Sequence, residues 1–175
     1  MNTQGLNAQK IIELLRLTPH PEEGGHFSET YRCDEGPSAS ALPVRYSGPR
    51  SFGTAIYYLL SPGTFSALHK LESDEIFHFY WGGPVRMLQL GPDSGPAQGR
   101  EIVIGPDLLA GQRPQVLVPR GVWQGALLEP GSEFALLGCT VSPGFEYADY
   151  THGNRAALLR EWPEHAALIH KLTTV

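Results

Sequence analysis

Read as apolar and polar positions, the chain divides into an amphipathic start, a long series of strand-like segments and an amphipathic end. Ile11, Ile12, Leu14, Leu15 and Leu17 give one apolar face to a short helix that Asn7 can cap. Leu6 and Ile11 have hydrophobic-staple spacing across that cap. Thr18-Pro19 is expected to stop the helix, because a residue before proline avoids the helical region. Next, P-H-P-E-E-G-G reads as a turn, and residues from His26 to Arg32 alternate as a strand does. Phe27, Glu29 and Tyr31 share one face; His26, Ser28, Thr30 and Arg32 share the other. Aromatic neighbours turn the first face inward, which makes Glu29 a pocket candidate, or else half of an ion pair at the rim.

Residues 34–50, rich in Ser, Pro, Gly and Ala, form the longest irregular stretch, either a flexible loop or a lid. Strand-like runs then follow at regular spacing: Phe52 to Leu60, Thr64 to His69, Glu75 to Trp81, Val85 to Leu90, Arg100 to Ile104, Gln115 to Val118, Val122 to Leu128 and Phe134 to Val141. Pro62-Gly63, Gly82-Gly83-Pro84, Pro92-Asp93, Pro119-Arg120-Gly121 and Pro130-Gly131 separate them. Many short strands without intervening helices predict an all-β sandwich or barrel. Helical pieces close the chain, Arg155 to Trp162 and a second starting at Pro163. No repeat or linker divides residues 1–175, so one domain is expected.

Composition narrows the function classes. The 175 residues are 41% hydrophobic, with 20 Gly and 15 Pro scattered as turns, and the net charge is −5. Without a Lys/Arg cluster, nucleic acid is not an expected partner. A start without a basic segment followed by an apolar one predicts no signal peptide, and no apolar run is long enough to span a bilayer. The two cysteines, Cys33 and Cys139, are far apart and in no metal-type spacing, so no disulfide framework is indicated. Cys139 reads as a small buried hydrophobe. A cytoplasmic location is the expectation.

The candidate chemistry lies between Gly63 and Gly82, where His69 ends one strand and Glu75 begins the next. An imidazole and a carboxylate so placed can bind a metal, move a proton or simply hydrogen-bond. With the strands laid out, Gly63, His69, Glu75 and Gly82 resemble the first signature of the cupin superfamily. Pro119, Gly121 and Gln124 match its second. A closer resemblance, to a group of small single-domain cupins without established function, covers P-H-P-E-E-G-G-H-F-S-E-T-Y-R, S-D-E-I-F-H-F, P-Q-V-L-V-P-R-G-V-W-Q-G-A and G-C-T-V-S-P-G-F-E-Y-A-D-Y. That resemblance implies a double-stranded β-helix, or jelly roll, with a short N-terminal helix and C-terminal helical segments, paired as a homodimer. It also brings a likeness in shape to storage proteins, auxin-binding protein and sugar-nucleotide epimerases.

Two departures from the cupin pattern decide the chemistry expected here. Leu71 stands where the second metal-binding histidine belongs, and Gln124 stands at the third. No cofactor is therefore expected. A weakly bound divalent metal, if any, would use His69, Glu75 and Gln124. His26 and His78 are the spare imidazoles, with His78 on the strand face opposite Glu75. What remains is a pocket with His69 and Glu75 as an acid/base pair. Gln124 offers hydrogen bonds, Trp123 packs near the mouth, and Phe77 with Phe79 forms an aromatic wall; Glu29 and Tyr31 complete the candidates. Tyr31, Tyr57 and Tyr58 are the available proton donors. The leading reading is binding of a small sugar-like or organic-acid metabolite. A metal-independent sugar or sugar-nucleotide isomerase using His69 as base is the catalytic alternative, followed by a metal enzyme with an incomplete ligand set.

Overall fold

Glycines and prolines fall where the chain reverses, and nearly every interval between them is a strand. A computed structural model describes residues 5–91 and 99–174. The Pro92-Asp93 turn lies outside the described residues. Helix α1 (Ala8–Leu15) begins where the Asn7 side chain accepts a hydrogen bond from the Lys10 amide at 2.9 Å. It ends earlier than Thr18-Pro19 would require. Arg16 adopts a left-handed conformation (φ 54°), and the Arg16 and Leu17 amides donate back to Glu13 and Ile12.

The strands are β1 (Thr18–Pro19), β2 (His26–Arg32), β3 (Thr54–Leu60), β4 (Phe65–Lys70), β5 (Asp74–Gly82) and β6 (Val85–Leu90). Then come β7 (Gly99–Ile104), β8 (Gln115–Val118), β9 (Trp123–Leu128), β10 (Ala135–Ser142) and β11 (Thr151–His152). They form two antiparallel sheets, ordered β1-β2-β3-β10-β5-β8 and β11-β4-β9-β6-β7. This is the all-β barrel that the strand pattern predicts, and the jelly roll that the cupin resemblance implies. Helices α2 (Arg155–Glu161) and α3 (Ala166–Lys171), joined through a short 3₁₀ turn at Pro163–His165, close the chain. Among the described residues, no helix is long and apolar enough to cross a membrane.

Strand alternation sorts the apolar residues into three layers. Tyr58, Leu60, Phe77, Met87, Ala126 and Leu137 point between the sheets and form the inner core. Outside the first sheet, Leu59, Phe134 and Trp81 pack against Ile11 and Leu17 of the N-terminal segment. Outside the second, Leu68, Leu88 and Leu90 pack against Leu158, Trp162, Ile169 and Leu172. Burying each of the Leu, Ile, Phe and Met side chains contributes about 1.5–3 kcal/mol.

Residues 34–50 are pinned to the body. The Tyr46 hydroxyl lies 2.9 Å from the Ser73 hydroxyl, and Arg45 donates to the Glu72 carbonyl at 2.9 Å. Arg50 and Asp149 form a buried bidentate pair at 2.7 and 2.5 Å. The segment therefore buttresses the turn at residues 145–149.

Candidate functional site

Near the start of β5 and the end of β10, the core side chains stop filling the barrel and leave a cavity of about 150 Å³. Phe27, Ile56, Leu71, Cys139, Val141 and Phe145 give it apolar walls. Buried His20 and Glu75, with Glu23 at 13% side-chain exposure, form its inner, polar end. Glu29, Arg32 and Glu146, with 41%, 37% and 45% of their side chains exposed, form the rim.

Two irregular strands and a glycine pair build this arrangement. The pairing of β2 with β3 slips between Glu29 and Tyr31, so one extra residue is inserted there. After the slip, Arg32 joins the face of Phe27 and Glu29, while Tyr31 turns to solvent. Arg32 then donates to both Glu29 oxygens (3.1 and 2.8 Å), to Glu146 (2.7 Å) and to the Phe145 carbonyl (3.1 Å). Similarly, β4 slips against β9 between Ser66 and His69, which directs both side chains toward Glu23. Glu23 itself is delivered by the turn before β2. Gly24 has φ +91°, and a Cβ there would lie 2.6 Å from the Phe65 carbonyl oxygen. Glu23 accepts the Ala67 amide through its backbone carbonyl, and Tyr58 donates to the Gly24 carbonyl at 2.9 Å.

Backbone contacts fix both imidazole tautomers. His20 Nδ1 accepts the amides of Glu22 and Glu23 (3.3 and 3.0 Å), so the proton of neutral His20 sits on Nε2, 3.7 Å from Glu23. His69 Nδ1 lies 2.7 Å from the Ala67 carbonyl and must donate to it. The lone pair on His69 Nε2 therefore faces Glu23, 3.6 Å away. Burial pushes both histidines down, and Glu75 partly opposes this at His69. Burial pushes the Glu23 carboxyl up, against the pull of His20 and the Ser66 hydroxyl. Glu75 is raised to about 7, first by burial and then by Glu23. Both effects have one cause: charge at this end of the barrel has little water and little counter-charge.

The sequence-predicted residues are distributed unevenly around this cavity. Glu75 and Glu29 line it. His69 and Gln124 lie behind its inner end, and no hydrogen bond or ion pair among the described residues joins His69 to Glu75. Instead Gln124 Nε2 donates to Glu75 at 2.5 Å, and His69 faces Glu23. Tyr31 is 55% exposed because of the β2 slip, so it is not a pocket residue. Phe77 and Phe79 belong to the packed inner core and do not wall the cavity. Trp123 is on the outer face of the second sheet, with Lys70 Nζ 4.8 Å from its ring, and is not near a mouth. Of the three tyrosines, Tyr58 approaches the site, and burial raises its hydroxyl well above the usual range. His78 is on the far face from Glu75, hydrogen-bonded to Thr140. The reading of single residues missed His20 and Glu23; the signal was the acidic pair set against Gly24-Gly25.

A cupin metal centre does not fit these residues. An alkyl chain occupies one ligand position at Leu71, and an amide occupies another at Gln124. The lone pair of His20 is spent on backbone amides. Among the described residues, no three His, Cys, Asp or Glu side chains are grouped to hold a metal ion.

Comparison with known proteins agrees with this description. The family profile described as Cupin superfamily (DUF985) matches residues 9–153. An uncharacterized protein of Saccharomyces cerevisiae is 31% identical over 155 residues, covering 82% of this chain and 73% of the yeast protein. A crystal structure of a Shewanella oneidensis protein superposes with TM-score 0.83 at 34% identity, over 97% of this chain and 98% of that one. A hypothetical protein from Leishmania major gives TM-score 0.84 at 28% identity, over 97% and 100%. A dTDP sugar isomerase of Desulfovibrio desulfuricans shares the fold alone, with TM-score 0.51 at 18% identity over 82% and 90%.

Proposed function

This chain belongs to the DUF985 family of the cupin superfamily, and from that premise we propose that it binds one small organic molecule in the cavity between its sheets. The observation that carries this reading is the cavity itself. The barrel is packed elsewhere, yet here about 150 Å³ stays open beside buried polar groups. A volume of that order holds a single ring, as engineered cavities that bind benzene do. A sugar nucleotide would have to leave its nucleotide outside, where Arg32 is already engaged with Glu29 and Glu146. Likeness of fold to a sugar isomerase therefore does not transfer its substrate.

A thermal-shift screen over single-ring metabolites tests the reading, since a ligand at 100 times its Kd stabilises by about 2.7 kcal/mol. Stabilising compounds should lose their effect when Ile56→Phe narrows the cavity. A flat response across sugars, amines, acids and aromatic rings would contradict the proposal.

Proton transfer is the catalytic reading, and the Glu75 carboxyl favours it: a group facing the cavity with its pKa near 7 can give and take protons at neutral pH. Glu75 replaces His69 as the group in reach of a ligand, with His69 acting behind Glu23. A bound carbonyl compound should exchange hydrogen with deuterated water, and Glu75→Gln should slow exchange by roughly 10²–10⁴-fold. Exchange that survives this substitution would exclude Glu75 as the base.

A further inference from the structure

The charges around the cavity are unbalanced. Four carboxyl side chains line it, those of Glu23, Glu29, Glu75 and Glu146, against one guanidinium, Arg32. That guanidinium is spent at the rim, donating to Glu29, Glu146 and the Phe145 carbonyl. It offers nothing to the inner end. There Glu23 lies 3.7 Å from His20 Nε2 and 3.6 Å from His69 Nε2, and Glu75 is met by the neutral amide of Gln124. Behind the inner end, Gln124 is 1% exposed and spends its Nε2 on Glu75, and among the described residues no donor reaches its Oε1. A buried acceptor left without a donor is costly.

An occupant must supply what is lacking: positive charge and N–H donors at the inner end, and apolar surface against the walls. An anion would be desolvated beside two carboxyls. A neutral hydroxyl compound would meet only part of the demand. Three aromatic residues, Phe27, Phe145 and Tyr147, are also among the lining, and an aromatic face turned to a cation attracts it.

We propose that the ligand is a small organic monocation, a primary amine or a protonated nitrogen heterocycle, whose N–H groups bind Glu23 and Glu75 while its apolar body lies against Phe27 and Leu71. This rests on the ligand-binding reading above and adds the chemical class of the ligand.

Benzylamine, benzyl alcohol and benzoate have nearly the same shape and differ in charge, so titration calorimetry and thermal shifts with the three isolate the charge term. Benzylamine should bind the full chain about tenfold or more tightly than benzyl alcohol, a difference of about 1.4 kcal/mol. Benzoate should bind most weakly. The preference should shrink in Glu23→Gln and Glu75→Gln proteins and persist in the rim variant Glu29→Gln. Should an inner variant fail to melt cooperatively, the order of the three probes on the parent decides alone. Equal binding of all three, or tighter binding of benzoate, would overturn the charge assignment and leave the ligand-binding reading standing. Binding of none would remove that reading as well. Stabilisation by manganese or zinc chloride without any response to benzylamine would replace the organic cation with a metal and overturn the proposal.

Discussion

Glu75 bears a cost that depends on pH, and the sign follows from its surroundings. Burial and the Glu23 carboxyl raise it from an ordinary 4.5 to about 7. Between those values the folded chain holds a proton that the unfolded chain has lost. Stability from this group is therefore greatest below the ordinary value and falls as pH rises through 7, by about 1.4 kcal/mol per unit. Glu75→Gln keeps the shape and removes the titration. Its stability relative to the parent, measured in urea, should increase by on the order of 3 kcal/mol from acid to slightly alkaline pH. A difference constant with pH would contradict the burial argument. At this scale the sequence was half legible. Spacing marked His69 and Glu75 as polar and inward, but whether they touch depends on χ angles and on competitors. Gln124 took one partner and Glu23 the other.

At the level of elements, slips in strand pairing explain what period-two reading could not. Alternation put Tyr31 beside Glu29, and one inserted residue in β2 exchanged it for Arg32. A slip has no strong local signature, because it is fixed by the partner strand. The turn before β2 was recognisable as a turn, but its seat on β4 was not. Gly24 and Gly63 both have positive φ, yet a Cβ at Gly24 would meet the Phe65 carbonyl oxygen at 2.6 Å, while one at Gly63 would meet nothing within 4 Å. Gly63→Ala should cost about 1–2 kcal/mol, the conformational penalty alone. Gly24→Ala should cost more, because the turn must move, and it should carry Glu23 out of the site. Equal urea midpoints for the two variants would show that the turn is not tightly seated.

Over the whole molecule, the fold was the most legible feature, since it depends on where apolar runs start and stop. Proline and glycine at those points set the strand lengths, and β2 to β10 begin and end within about two residues of the runs, while the two-residue β1 and β11 match no run. The cavity was not legible, because it is the place where inward side chains fail to meet. Among the described residues β8 ends the first sheet, and β7 ends the second with only an isolated bridge from Ile104 to Arg113; such edges favour association. We propose a homodimer, and sedimentation at micromolar concentration should show twice 19.2 kDa. A single-chain species alone would contradict pairing. The account as a whole stands on the space enclosed by Phe27, Leu71, Glu23 and Glu75. A crystal structure of protein purified gently from cells, without added ligand or chelator, tests it directly. The predicted result is compact non-protein density of single-ring size in contact with Glu23 and Glu75. Side chains closing that space, or a metal ion held by His69 and Glu75, would contradict it.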